Sequence, residues 1–165
     1  MKFFTDLSDG QKGERAIADY LIENAGWELH DFNTSEDKIK LRQFDISMWD
    51  TSKEFVLVEV KTDRWETFNY ETNNIFIEFM CGGTWSGIKT TKSNKYIFYF
   101  PDYEEVFIVG TERLKEIIKT PGIVHHTQLE AGDGDKVKSY LIDRRKWHNL
   151  FEVHHVPKEY YLRYK

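Results

Sequence analysis

The chain has 165 residues, a mass of 19.7 kDa and a formal net charge of −5, with 40% hydrophobic and 16% aromatic residues. That size and apolar content support one folded domain spanning residues 1–165 and argue against disorder. No apolar run is long enough to span a bilayer, the amino terminus turns polar after Phe4, and one cysteine, Cys81, excludes an intramolecular disulfide or a cysteine-rich zinc site. The expected setting is therefore intracellular and cytoplasmic, with no membrane partner.

The spacing predicts a first helix from a Ser8 or Asp9 cap to Gly26, with Ile17, Tyr20 and Leu21 facing inward. Glu14 falls on or beside that buried stripe. Trp27 to Phe32 alternates as a half-buried strand, and residues 33–42 form a polar connection. In the strand over Gln43 to Trp49, Phe44, Ile46 and Met48 take one face, Asp45 and Ser47 the other.

Asp50 to Lys53 is turn chemistry leading into Phe55-Val56-Leu57-Val58-Glu59-Val60-Lys61. Alternation places Phe55, Leu57, Glu59 and Lys61 on one face of this strand, so an acid and an amine end a face otherwise built for burial. Buried charges cost several kcal/mol unless paired or metal-bound, which marks the strand end as a candidate site. A tight hairpin pairs Asp45 with Val56 to Val58; a bulge or a longer loop brings it level with Glu59.

Further along, strands are expected at Asn74–Met80, Lys95–Phe100 and Val106–Val109, with a glycine-rich turn over Cys81–Gly87 and a short helix over Lys89–Asn94. Thr111 caps a helix that turns Leu114, Ile117 and Ile118 inward and stops before Pro121. Val124–Leu129 and Val137–Ile142 read as a hairpin. Helix, strands, helix and strands indicate an α/β (α+β) fold, a sheet with helices packed on it.

Carboxylates on adjacent strand ends can hold Mg²⁺ or Mn²⁺ through oxygen, and a neighbouring lysine can orient water or hold charge developing on a phosphate. Glu78, alone in an apolar strand, is a rival third carboxylate, although an edge position or an ion pair accounts for it more simply. His125-His126 and His154-His155 do not form a zinc site, because adjacent strand residues point to opposite faces. Arg64, Lys89 and Lys92 are candidate phosphate contacts, and Trp65, Tyr70 and Trp85 could stack on unpaired bases, with core packing the simpler role for Trp85. Residues 136–165 hold eight Lys/Arg against Asp143, Glu152 and Glu159, a net +5 that leaves −10 on the rest. That basic fifth is either a phosphate-binding surface or a solvated face.

Gly13-Glu14-Arg15 in the first helix, Phe44-Asp45-Ile46 in a strand and Glu59-Val60-Lys61 at the end of the next strand together resemble the PD-(D/E)XK nuclease superfamily. Residues 83–92, followed by the Tyr96–Phe100 strand, are similar to segments of its small phage-type, Holliday-junction-resolvase-like members. Phe44 stands where the superfamily name has proline. The resemblance implies a mixed central sheet flanked by helices, a restriction-endonuclease-like core and Mg²⁺- or Mn²⁺-dependent endonucleolytic hydrolysis of DNA, with branched or other non-B DNA as the expected substrate. It implies Asp45 and Glu59 as metal ligands, Lys61 as the catalytic lysine and Glu14 as the supporting helix carboxylate. Junction cleavage would also require a homodimer. The alternative is a module of the same fold that has lost catalysis and binds DNA or a protein, with Glu59 and Lys61 paired to each other.

Overall fold

The computed structural model describes residues 7–41, 43–64, 73–130 and 136–164. Helix α1 (Asp9–Ala25) is followed by β1 (Glu28–Phe32), a single helical turn α2 (Lys38–Leu41), β2 (Ile46–Trp49), β3 (Phe55–Thr62), β4 (Asn74–Cys81) and the short β5 (Thr84–Trp85). Then come β6 (Lys95–Phe100), β7 (Glu105–Gly110), α3 (Thr111–Lys119), β8 (Val124–Glu130), β9 (Lys136–Asp143), β10 (Glu152–His155) and α4 (Lys158–Leu162). The strands form a six-stranded sheet of order β1-β2-β3-β6-β7-β10 and a four-stranded sheet of order β5-β4-β9-β8. Among the described strands only β3 and β6 run parallel, so the α+β class with a mixed central sheet holds.

The local chemistry accounts for α1. The Ser8 hydroxyl accepts the Gln11 N–H and the Gln11 side chain accepts the Ser8 N–H, a reciprocal capping box, and Gly26 ends the helix at a φ of 68°. Its buried residues, Ala16, Ile17, Ala18 and Leu21, pack with Ile46, Met48, Val56, Val58 and Val60 on one face of the large sheet, and Tyr161 of α4 joins them. The opposite face carries Tyr96, Phe98, Phe100, Phe107 and Val109 into a second core with Ile75, Ile77 and Ile142 of the small sheet and Leu114 and Ile117 of α3. Helices thus cover one face, while the other is shared by α3 and a second sheet that no single stretch of sequence announces.

Local expectations fail in three places, and the carboxyl end carries none. Residues 33–42 contain the turn α2, and residues 89–94 form no helix. Instead a 3₁₀ turn occupies Gly87–Lys89, and the following loop hangs on the Gln43 carbonyl, which accepts from Lys92 N–H (2.8 Å) and the Thr91 hydroxyl (3.2 Å). Strand β1 is an almost wholly exposed edge rather than half-buried. At the carboxyl end, β10 and α4 carry too few buried residues to be seen as a pattern. Trp65 and Tyr70 lie outside the described residues.

Candidate functional site

The loop between Trp49 and Phe55 sets the register that the sequence leaves open: β2 and β3 pair Ile46 with Val58. One residue earlier, the Asp45 N–H donates to the Val58 carbonyl at 2.9 Å and Asp45 Oδ2 accepts the Val60 N–H at 2.7 Å. These two contacts flank Glu59, so Asp45 brackets it across the strands. Glu59 is 6% exposed, and its Oε1 lies 2.5 Å from the Lys61 ammonium, whose side chain keeps 44% of its surface open. The Lys61 ammonium is thus held on Glu59 while the side chain as a whole stays partly open.

Helix α1 supplies the third carboxyl. A Cβ on Gly13 would sit 1.7 Å from Thr62 Oγ1 and 2.8 Å from Thr62 Cβ, so glycine is what lets the helix backbone press against the end of β3. That approach brings the next residue, Glu14, into the field of Asp45, Glu59 and Lys61. Burial, then Asp45, then Glu59 push the Glu14 carboxyl up to about 8, against the opposing Lys61 and Arg15 charges. Burial and then Glu59 push Asp45 up to about 7, while Lys61 and the Val60 N–H act the other way. Burial disfavours the Lys61 charge, but the Glu59 and Asp45 carboxylates outweigh it and hold Lys61 above the ordinary lysine value.

The sheet also brings in Tyr96, which the sequence reading did not single out. It pairs with Glu59 across the parallel β3–β6 ladder and so shares its face; it is 1% exposed and its hydroxyl has no hydrogen-bond partner. Burial first, and then Glu59, raise its pKa; the Thr91 hydroxyl lies near enough to counter this in part without a hydrogen bond of ordinary geometry. A tyrosine in an apolar strand looks like core, and only the parallel pairing gives it another meaning. Beside Glu14 a cleft of about 240 Å³ opens, lined by Gln11, Arg15, Phe32, Asn33 and Leu41 among others.

Other candidates stand apart. Glu78 lies on the small sheet, where Oε1 accepts the Ser86 hydroxyl at 2.5 Å, and it is not among the charges acting on Asp45. Arg64 is committed to Asp102 at 3.2 Å and lies over the Tyr161 ring, with 16% of its side chain exposed. Lys89 and Lys92 are exposed. His154 reaches Tyr20 and Glu152, while His155 faces Glu104, so these neighbours do not converge. Much of the basic carboxyl end is consumed internally: Arg144 pairs with Glu105, Lys158 with Asp102, and Arg163 with Asp19 and Glu23.

The donor chemistry of Asp45, Glu59 and Glu14 suits a hard divalent cation: oxygen ligands whose charges crowd one another. As the side chains stand, Glu59 is turned onto Lys61, and among the described residues no group of three or more His, Cys, Asp or Glu converges around one point. Among those residues no helix is long and apolar enough to cross a membrane. No family model matches the chain, and neither a curated protein nor a solved structure matches it significantly.

Proposed function

We propose that the protein is a metal-dependent DNA endonuclease of the PD-(D/E)XK type. The observation that carries this reading is Asp45 bonded on both sides of Glu59, two residues before Lys61, with the charges of all three acting on Glu14. A divalent cation held by Asp45 and Glu59, with Glu14 bound directly or through water, would supply a deprotonated water and neutralise charge at phosphorus. Asp45 fixes the backbone around Glu59, and Lys61 offers an ammonium to the phosphate oxygens once Glu59 turns from it. Exposed Lys89 and Lys92 are the candidate contacts to DNA phosphates further along the strand.

A second reading, a noncatalytic module of the same fold, is favoured by the Glu59–Lys61 ion pair and by the lack of a converged three-acid group among the described residues. One experiment separates them. Supercoiled, linear, single-stranded and four-way-junction DNA are incubated with Mg²⁺, Mn²⁺ or EDTA. The nuclease reading expects metal-dependent cleavage that is lost in Lys61→Ala and Asp45→Asn while both variants stay folded. Full activity in Lys61→Ala sinks it. No cleavage of any substrate, with no Mn²⁺ binding by calorimetry, favours the module.

A further inference from the structure

The small sheet carries an exposed feature outside the carboxyl cluster. The β4–β5 hairpin pairs Met80 with Trp85, and across β4 the same Met80 pairs with Lys138 of β9, so Trp85, Met80 and Lys138 lie in a row on one face. A bulge between Glu78 and Met80 inserts Phe79, which stacks on Tyr140 at 4.4 Å and lies 6.4 Å from the Trp85 ring at 37°. An aromatic series thus runs from the second core out to Trp85, which is 57% exposed and was expected in the core. Lys89 places its ammonium 5.7 Å from the Trp85 ring centre. Lys89 and Lys138 are exposed and have no acidic partner among the described residues, unlike the basic side chains paired above. Glu78, the nearest acid in the hairpin, is occupied by Ser86.

We infer that this face binds an unpaired DNA strand, with one base stacked on Trp85 and the flanking phosphates on Lys89 and Lys138. The occupant follows from charge and shape: two ammonium groups with no acidic partner among the described residues, beside a ring held by its aromatic neighbours, suit an anionic chain with flat, apolar bases. A duplex keeps its bases stacked inside and would use only the lysines. The inference deepens the nuclease reading, because it names single-stranded segments as what the protein grips, and it rests on DNA being the substrate.

The test measures fluorescence anisotropy of a labelled oligothymidylate of roughly ten nucleotides, within the ~4–16 that one such surface covers, and of a blunt duplex of similar length, both in EDTA. The single strand is expected to bind more tightly than the duplex. Trp85→Ala should weaken it by about 10-fold or more, Trp85→Phe should retain most of the affinity, and duplex binding should change little. Lys89→Gln with Lys138→Gln should reduce the slope of log affinity against log salt by about 1.4, from ~0.7 per phosphate contact. Unchanged single-strand affinity in Trp85→Ala, with an unchanged melting curve, overturns the inference; so does equal loss on both DNAs. Lys61→Ala run in parallel keeps the two readings apart. Trp85-dependent binding by a protein that cleaves nothing leaves this surface standing and removes the nuclease. Cleavage by a protein indifferent to Trp85 does the reverse.

Discussion

Replacing Asp45 with asparagine should stabilise the metal-free protein, and only above the ordinary carboxylate range. Burial and the Glu59 charge raise the Asp45 carboxyl from 3.8 to about 7. The folded chain therefore keeps a proton that the unfolded chain has released, so this contribution to stability is fully present below about pH 4 and is lost as the pH rises through about 7. At ~1.4 kcal/mol per unit the ionised carboxylate costs at most about 4 kcal/mol at pH 8, and partial solvent access brings this nearer 2. Asparagine stays neutral, and its amide oxygen can still accept the Val60 N–H. For a chain of this size the gain is about 4–8 °C in melting temperature. Scanning calorimetry of both proteins in EDTA checks it, with the gain growing from about pH 5 to pH 8 as the wild-type carboxyl ionises. A lower melting temperature for the variant at pH 8, or the same difference at both pH values, would refute the reasoning. Either result would mean that Asp45 gains more from Val60 and Lys61 than it loses to burial and Glu59.

Gly13→Ala should destabilise the fold by about 1–2 kcal/mol despite the better helix propensity of alanine, because overpacking against Thr62 outweighs that gain; urea unfolding checks it, and a more stable variant would show that α1 can withdraw. Tyr96→Phe removes a buried hydroxyl with no partner, so thermal stability should hold or rise by about 1 kcal/mol, whereas a loss beyond that would reveal a hydrogen bond in solution. Asp102→Asn leaves Arg64 and Lys158 without their shared carboxylate and should cost about 2 kcal/mol by chemical denaturation near neutral pH. Asp102 titrates below its usual value: burial raises it, but the Lys158 and Arg64 hydrogen bonds outweigh burial. Its stabilising share is therefore present above about pH 4 and lost as the pH falls through the lower folded value, so the variant's deficit should shrink in acid.

How much of this the sequence could show depended on the range of the forces involved. Helix α1 was legible from Ser8 to Gly26 because its cap, apolar spacing and stop all act within a few residues. The β2–β3 hairpin was legible for the same reason, and with it the nearness of Asp45 to Glu59, but the choice between Val56–Val58 and Glu59 depended on backbone geometry in the Asp50–Glu54 loop. Tyr96 could not be found, since its meaning comes from a parallel partner 37 residues away. Trp85 was misjudged because a large aromatic beside glycines resembles core, while the two-residue strand β5 leaves it at a sheet edge. The positive carboxyl end looked like a surface for phosphates, but three of its cations answer acids in the earlier chain, which accounts for part of the uneven charge.

Glu14, Asp45 and Glu59 set three carboxyls against one ammonium, and this excess of negative charge leads to a last test. Near neutral pH the metal-free site relieves the crowding with protons: Glu14 holds one up to about 8 and Asp45 up to about 7. A divalent cation carries the charge of those two protons, so its binding at these groups should release up to about two of them, and affinity should rise with pH until both groups have ionised. Calorimetric titration with Mn²⁺ in buffers of differing ionisation enthalpy counts the protons directly. At about pH 6.5 the wild type should release more than one, and Glu14→Gln and Asp45→Asn should each release about one fewer. Mn²⁺ binding without proton release would mean that the ion sits elsewhere. Glu59 and Lys61 would then be a salt bridge at the end of a core strand, and the case for hydrolysis would lose its chemical basis.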